Sequence, residues 1–353
     1  MNSMSGMRKI LFTIFFFSLF QYAMPQQENF SVKLLEEGFI YENAPFAQCH
    51  ASTVVELPNG HLLAAWFGGS YERHPDVAVY TSEYNGKEWS LPVKIADGVV
   101  NDTLRYPTWN PVLFLNKNSV LYLFYKVGPS PSRWWGMYKT SADSGKTWSK
   151  EIHLPDNITG PVKNKPLMMP NGRIIAPSST EDNDKWKGYM EISDDDGKTW
   201  KRVPVDTASP FKAIQPALLA LKDGSVKALI RSNQNVILES SSFDNGESWS
   251  SLKKSNVANP NSGIDAVTLQ NGLHLLVYNP AVSGNDWSDG RNRLSLAISS
   301  DGNNWQDILL LEDHPDGEYS YPAIIQAKDG TVYITYTYKR ERIKYIKLKI
   351  INH

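Results

Sequence analysis

One eight-residue phrase returns along this chain at near-constant spacing, and that repetition limits the folds open to it. It reads Ser141-Ala-Asp143-Ser-Gly145-Lys-Thr147-Trp148, then Ser193-Asp-Asp195-Asp-Gly197-Lys-Thr199-Trp200, then Ser242-Phe-Asp244-Asn-Gly246-Glu-Ser248-Trp249. Two worn copies flank these: Ser82 to Trp89, with Tyr84 in the Asp place, and Ser299 to Trp305, one residue short. The five tryptophans stand 59, 52, 49 and 56 residues apart. A period near fifty residues marks an array of small units, each unable to bury its apolar faces without its neighbours.

A second repeat sets the number of units. Turn dipeptides between alternating apolar runs fall at Asn59-Gly60, Asn171-Gly172, Asp223-Gly224, Asn271-Gly272 and Asp329-Gly330, and Asn118-Ser119 fills the remaining gap. Asn-Gly and Asp-Gly readily take the positive φ of tight hairpins, and the flanks alternate as strands do. Six hairpins at this spacing predict an all-β chain, a six-bladed β-propeller over residues 27–353 with no second domain. The 11 Trp and 17 Tyr suit large cores between stacked sheets.

Residues 1–26 have another character. Arg8 and Lys9 precede an apolar run from Ile10 to Phe20, followed by a short polar exit with Ala23. That order reads as a cleavable signal peptide, so a secreted or periplasmic location is expected, without a membrane span in the mature form. The single cysteine, Cys49, allows no intrachain disulfide. Thirty-six basic against 37 acidic residues give no basis for nucleic-acid binding. No His, Cys and carboxylate spacing suggests a metal site, and no cofactor is expected. A monomer is expected.

Counting back from the six hairpins places one polar residue per blade at the mouth of the axial funnel: His50, Asn110, Lys165, Gln215, Asp265 and Tyr321. Four precede proline, which favours extended backbone. Lys165 adds positive charge to this mouth and Asp265 an opposing carboxylate. Trp134, Trp135 and Trp109 offer flat faces on which a sugar ring can stack. These features suit an anionic carbohydrate.

The repeated phrase is the Asp-box, and the chain resembles the sialidase superfamily, in particular its BNR-repeat-like, sialidase-like subgroup. The resemblance rests also on Trp109-Asn110-Pro111-Val112, Asn164-Lys165-Pro166-Leu167 and Asn259-Pro260-Asn261-Ser262-Gly263, and it covers nearly all of the chain after residue 26. It treats the Asp-boxes as outer-turn structure. It implies that Arg231, seven residues after Gly224, and Arg291, three before Leu294, bind a sugar carboxylate, with Arg293 as a possible substitute. A guanidinium matches the carboxylate fork. The Tyr-Ser step at Tyr319-Ser320 implies Tyr319 as nucleophile, with Tyr321 as its alternate. Tyrosine-based retention is a known exception to the two-carboxylate rule for glycosidases. The general acid is implied in the first-blade loop, as Asp76 or Glu72.

Two positions depart from the pattern. His50 stands where the family has its first arginine, and Gln215 where it has the glutamate that polarises the tyrosine. Gln215 can donate and accept hydrogen bonds but cannot take a proton. His50 is of a type able to act as acid or base. The expected activity is an exo-acting glycoside hydrolase removing a terminal acidic sugar, a sialic acid or another ketodeoxy or uronic acid, from an oligosaccharide or polysaccharide. The alternatives are a lyase acting on uronate-containing glycans, with His50 and a tyrosine as base and acid, and a non-catalytic carbohydrate-binding propeller.

Overall fold

The computed structural model describes residues 30–182 and 185–352. The expected signal peptide, residues 1–26, lies outside them. The described residues form six antiparallel four-stranded sheets and one small ribbon, Val99–Asn101 with Leu104–Arg105. No helix occurs among the described elements. The sheets are blades around a common axis, with Gln48–Glu56, Thr108–Leu115, Leu167–Met168, Ala213–Ala220, Asp265–Thr268 and Tyr319–Gln326 innermost.

Five blades use strands consecutive in sequence. The sixth takes its outer strand from the other end of the chain: Phe30–Phe39 pairs antiparallel with Arg342–Asn352. The ring is thereby closed by hydrogen bonds between the two ends of the described chain. Closure leaves no blade with an unpaired inner face.

Apolar side chains meet between blades. Leu113, Leu123 and Tyr125 of the second blade pack with Leu63 and Val79 of the first, and Tyr319, Ile324 and Ile334 of the sixth pack with Leu275, Leu294 and Leu296 of the fifth. Both faces of a blade are therefore covered, and Leu62–Gly69 is buried at every position.

All six turn residues have positive φ: 81° at Gly60, 59° at Ser119, 88° at Gly172, 85° at Gly224, 81° at Gly272 and 81° at Gly330. Each Asp-box is a closed local network. Asp143 accepts from the Thr147 amide at 2.9 Å and hydroxyl at 2.6 Å, while Ser141 Oγ accepts from the Gly145 amide at 2.8 Å. The box of Asp195 repeats these contacts at 2.8, 2.6 and 2.8 Å. In the first, worn copy Tyr84 instead donates its hydroxyl to Glu36 of the closing strand at 2.8 Å.

These networks predict an acid limb of stability. The Thr147 and Thr199 hydrogen bonds hold Asp143 and Asp195 at about 2, below the ordinary 3.8. A depressed folded pKa favours folding while the carboxylate is ionised, and the contribution is lost as pH falls through that pKa. The unfolding temperature should therefore drop between about pH 4 and pH 2, and less steeply in an Asp143→Asn, Asp195→Asn double variant. Parallel profiles for the two proteins would place the acid lability elsewhere.

Candidate active site at the axial mouth

The residue at each mouth is set by one spacing. Ala51, Asn110, Lys163, Gln215, Gly263 and Tyr321 each stand nine residues before the turn residue of their blade. Three of the positions read from sequence hold, and three shift. In the first blade Ala51, at φ 56°, takes the bulged position rather than His50; in the third and fifth, Lys163 and Gly263 replace Lys165 and Asp265. Lys165 and Asp265 bind each other instead, at 2.8 Å, and Asp265 also accepts from the Ile324 amide at 2.9 Å. They tie the third, fifth and sixth blades together and do not line the cleft.

The extended backbone expected before proline is also corrected. Asn110, Gln215 and Tyr321 have φ of 38°, 55° and 53°. The register shifts at these points, between Trp109 and Val112, Ile214 and Ala217, and Ser320 and Ala323, with the same shift between His50 and Thr53. Two residues of the inner strand oppose one of its partner, a bulge that re-aims the side chain. Left-handed backbone at a non-glycine costs about 1–3 kcal/mol per residue, and such strain gathers at functional sites.

A cleft of about 870 Å³ opens over this mouth. Arg231, 7% exposed, donates to the Tyr321 phenol oxygen at 2.6 Å, to Gln215 Oε1 at 3.0 Å and to Asn261 Oδ1 at 3.0 Å. Gln215 Nε2 lies 3.5 Å from the same phenol. Gly263 makes room for this ring: a Cβ there would sit 3.2 Å from Tyr321 Cδ2. Beneath it, buried Lys163 donates to the carbonyls of Ile264, at 2.5 Å, and Pro322. Loss of water pushes the Lys163 ammonium down to about 7.

Three further arginines, Arg73, Arg291 and Arg340, line the cleft. Arg291 contacts Glu318 at 3.4 Å and the Asn261 carbonyl at 3.2 Å. Arg340 binds Glu318 at 3.0 Å and also Glu72. The exposed indole of Trp287 lies 5.0 Å from the guanidinium groups of both Arg291 and Arg340. Arg293, the alternate to Arg291, pairs with Asp313 at 3.4 Å and is absent from the lining.

The structure separates the other candidates. Tyr319 is buried between the fifth and sixth blades and does not line the cleft. Burial, with Tyr338 and Glu312 nearby, pushes its phenol up to about 12. Tyr321, two residues on, faces the cleft because the bulge interrupts the alternation that would put both rings on one face. Asp76 points into a separate pocket with Lys94 and Arg105. Burial acts to raise its pKa, but hydrogen bonds from Ser70 and His74 prevail and hold it below the usual value. Glu72 does line the cleft, bound to Arg340. His50 is sealed under the mouth with its ring centroid 4.1 Å from that of Tyr321. Burial, then the charges of Arg340, Arg291, Arg231 and Lys163, press its pKa well down, so it is neutral. Trp135 packs against Tyr106 and His153, whereas Trp134 and Trp109 line the cleft with Asn110.

Arg340, Glu181, Trp186 and Trp287 also line the site and were not among the sequence candidates. Arg340 had a local signal: Lys339 and Arg340 form a sixth-blade hairpin turn with φ of 53° and 59°. Nothing local marks the other three. Among the described residues no group of three or more His, Cys, Asp or Glu side chains is placed to hold a metal ion.

The fold and mouth define a six-bladed propeller with an arginine-rich axial cleft. The BNR repeat-like domain matches residues 60–334, so the chain belongs to that family, within the sialidase superfamily. Over 250 residues the chain is 25% identical to the anhydrosialidase of Macrobdella decora, a match covering 62% of this chain and 31% of that protein. The chain thus spans about a third of that relative's length. A protein of unknown function from Dyadobacter fermentans superposes with a TM-score of 0.73 at 18% identity, covering 91% of this chain and 100% of that one. The NanB sialidase of Streptococcus pneumoniae does so with a TM-score of 0.67 at 14% identity, covering 88% and 70%. At these identities the superpositions establish the shared fold.

Proposed function

We propose that this protein is an exported, exo-acting glycoside hydrolase of sialidase type that releases a terminal acidic sugar. The observation that carries the reading is the charge arrangement around Arg231. Arg291 and Arg340 face Glu318 and Glu72, while the hydrogen-bond partners of Arg231 (Gln215, Asn261 and Tyr321) are all neutral. A sugar carboxylate seated on Arg231 supplies the missing anion, with Arg291 and Arg340 beside it. Tyr321 is the nucleophile in this reading. The Arg231 donor at its oxygen sits where negative charge grows as the phenolic proton leaves. Gln215 orients the phenol, and the half-buried Trp134 and Trp186 offer faces to the ring. Export rests on the character of residues 1–26.

The anhydrosialidase relative and the sialidase fold support sialidase-type cleavage of a glycosidic bond. A lyase would need His50 to reach the substrate, and His50 does not line the cleft. The test is mass spectrometry of sialylated and uronate-containing glycans after incubation with the protein. The expected product is a free acidic monosaccharide that has gained one water. An unsaturated product, or unchanged glycans across the panel, would overturn the reading.

A further inference from the structure

We propose that Glu181, on the third-blade hairpin, is the acid that protonates the leaving oxygen, in place of the first-blade loop carboxylates; this rests on the hydrolase reading above. Three carboxyl groups line the cleft among the described residues: Glu72, Glu181 and Asp286. Glu72 is bound to Arg340, which occupies one of its carboxylate oxygens. Asp286 stands exposed on the rim loop. Glu181 is half-buried, and its carboxyl makes no hydrogen bond or ion pair with another described residue.

The backbone holds Glu181 in place. It is the penultimate residue of Ile174–Asp182, paired across the hairpin with Trp186, and its carbonyl accepts from Ser132 Oγ at 2.7 Å. In a ring of six blades the third lies opposite the sixth, so Glu181 and Tyr321 approach the cleft from opposite sides. That is the disposition an acid and a nucleophile need about one scissile bond.

The charged groups facing Glu181 are Arg231 of the fourth blade and Glu72 and Arg73 of the first-blade loop. Burial raises its pKa most; Arg231 opposes this, Glu72 adds to it and Arg73 opposes it, and the net direction is upward. A carboxyl kept protonated further up the pH scale than an ordinary one is suited to donate.

The step balances as follows. The bond from the anomeric carbon to the leaving oxygen breaks with its electron pair going to oxygen, which takes the Glu181 proton and departs as an alcohol. The Tyr321 oxygen bonds to the anomeric carbon as its proton passes to water. In the second half, the Glu181 carboxylate takes a proton from an incoming water. The hydroxyl bonds to the anomeric carbon, and the electron pair of the breaking bond returns to the tyrosine oxygen, which regains a proton from solvent. The sum is glycoside plus water giving free sugar plus alcohol.

The test is Glu181→Gln, compared with Glu72→Gln, on two substrates carrying the same acidic sugar: one linked to another sugar, one to p-nitrophenol. Nitrophenolate leaves without a proton, so loss of the acid should spare it. General acids contribute about 10²–10⁴-fold. E181Q should lose at least about 100-fold in kcat/KM on the sugar-linked substrate and less than about 10-fold on the aryl one. The basic limb of its pH profile should vanish, with affinity for the free sugar retained as evidence of an intact cleft. Equal losses on both substrates, no loss on either, or the leaving-group pattern appearing in E72Q instead would overturn the assignment. Activity of the wild type with E181Q unaffected would leave the hydrolase reading standing. A wild type inactive on both substrates would remove that reading and this one together.

Discussion

Tyr321→Phe is expected to lower kcat by about 10³-fold or more, while Tyr319→Phe leaves kcat nearly unchanged. The two tyrosines are two residues apart, and the Tyr-Ser resemblance selects the first. Tyr319 lies in the core between the fifth and sixth blades, away from the cleft. Its phenol, pushed up to about 12, resists ionisation at any ordinary working pH. Losing that hydroxyl should cost about 1 kcal/mol of stability through a lost hydrogen bond, with little effect on turnover. Tyr321 carries its oxygen into the cleft, 2.6 Å from Arg231 Nη1. Its replacement removes the proposed nucleophile and keeps the ring that rests on His50 and Gly263. Steady-state kinetics and thermal unfolding of both variants decide the matter. A Tyr319→Phe enzyme crippled at unchanged stability, beside an active Tyr321→Phe enzyme, would reverse the assignment.

Deleting residues 30–39 should abolish cooperative folding. The segment pairs with Arg342–Asn352 at nine register positions, and Phe30 and Val32 pack on the core of the fifth and sixth blades. Glu36 binds the phenols of Tyr84, at 2.8 Å, and Tyr345, at 2.6 Å, which joins the first blade to the sixth. Each ladder bond contributes on the order of 1 kcal/mol net, and covering the apolar edge adds to this. The total rivals the roughly 5–15 kcal/mol that separates a typical folded domain from its unfolded chain. The deletion also bares a long strand, Arg342–Asn352, as a template for aggregation. Urea unfolding followed by tryptophan fluorescence should show a shallow, early transition or insoluble protein. A transition as steep and as late as that of the full chain would show that the ring closes without this strand.

What the sequence determined by itself is the part of the structure made by neighbours along the chain. An Asp-box is closed by hydrogen bonds spanning two to four residues, and a hairpin turn by residues of positive φ, so both can be counted from residue order. Their period led to six blades, and counting back from the turns gave Asn110, Gln215 and Tyr321 as cleft residues, while Arg231, Arg291 and Glu72 came from the resemblance to the sialidases.

The tertiary structure decided what depends on parity and on convergence. A bulge of one residue changes which side chains face the axis, and that set Tyr321 apart from Tyr319 and moved the mouth from His50 to Ala51. The nine-residue spacing is present in the sequence, but the Lys165-Pro166 step is locally indistinguishable from Gln215-Pro216 and Tyr321-Pro322, and only the bulged backbone shows that Lys163 holds the third-blade mouth. Arg340, Glu181, Trp186 and Trp287 meet Arg231 only because separate blades bring their loops to one mouth. Lys165 and Asp265 neutralise each other across 100 residues of chain. The closing strand joins residues more than 300 positions apart. Local order carries the turn signals because their partners are close in sequence; it carries no record of which distant side chains the closed ring will bring together.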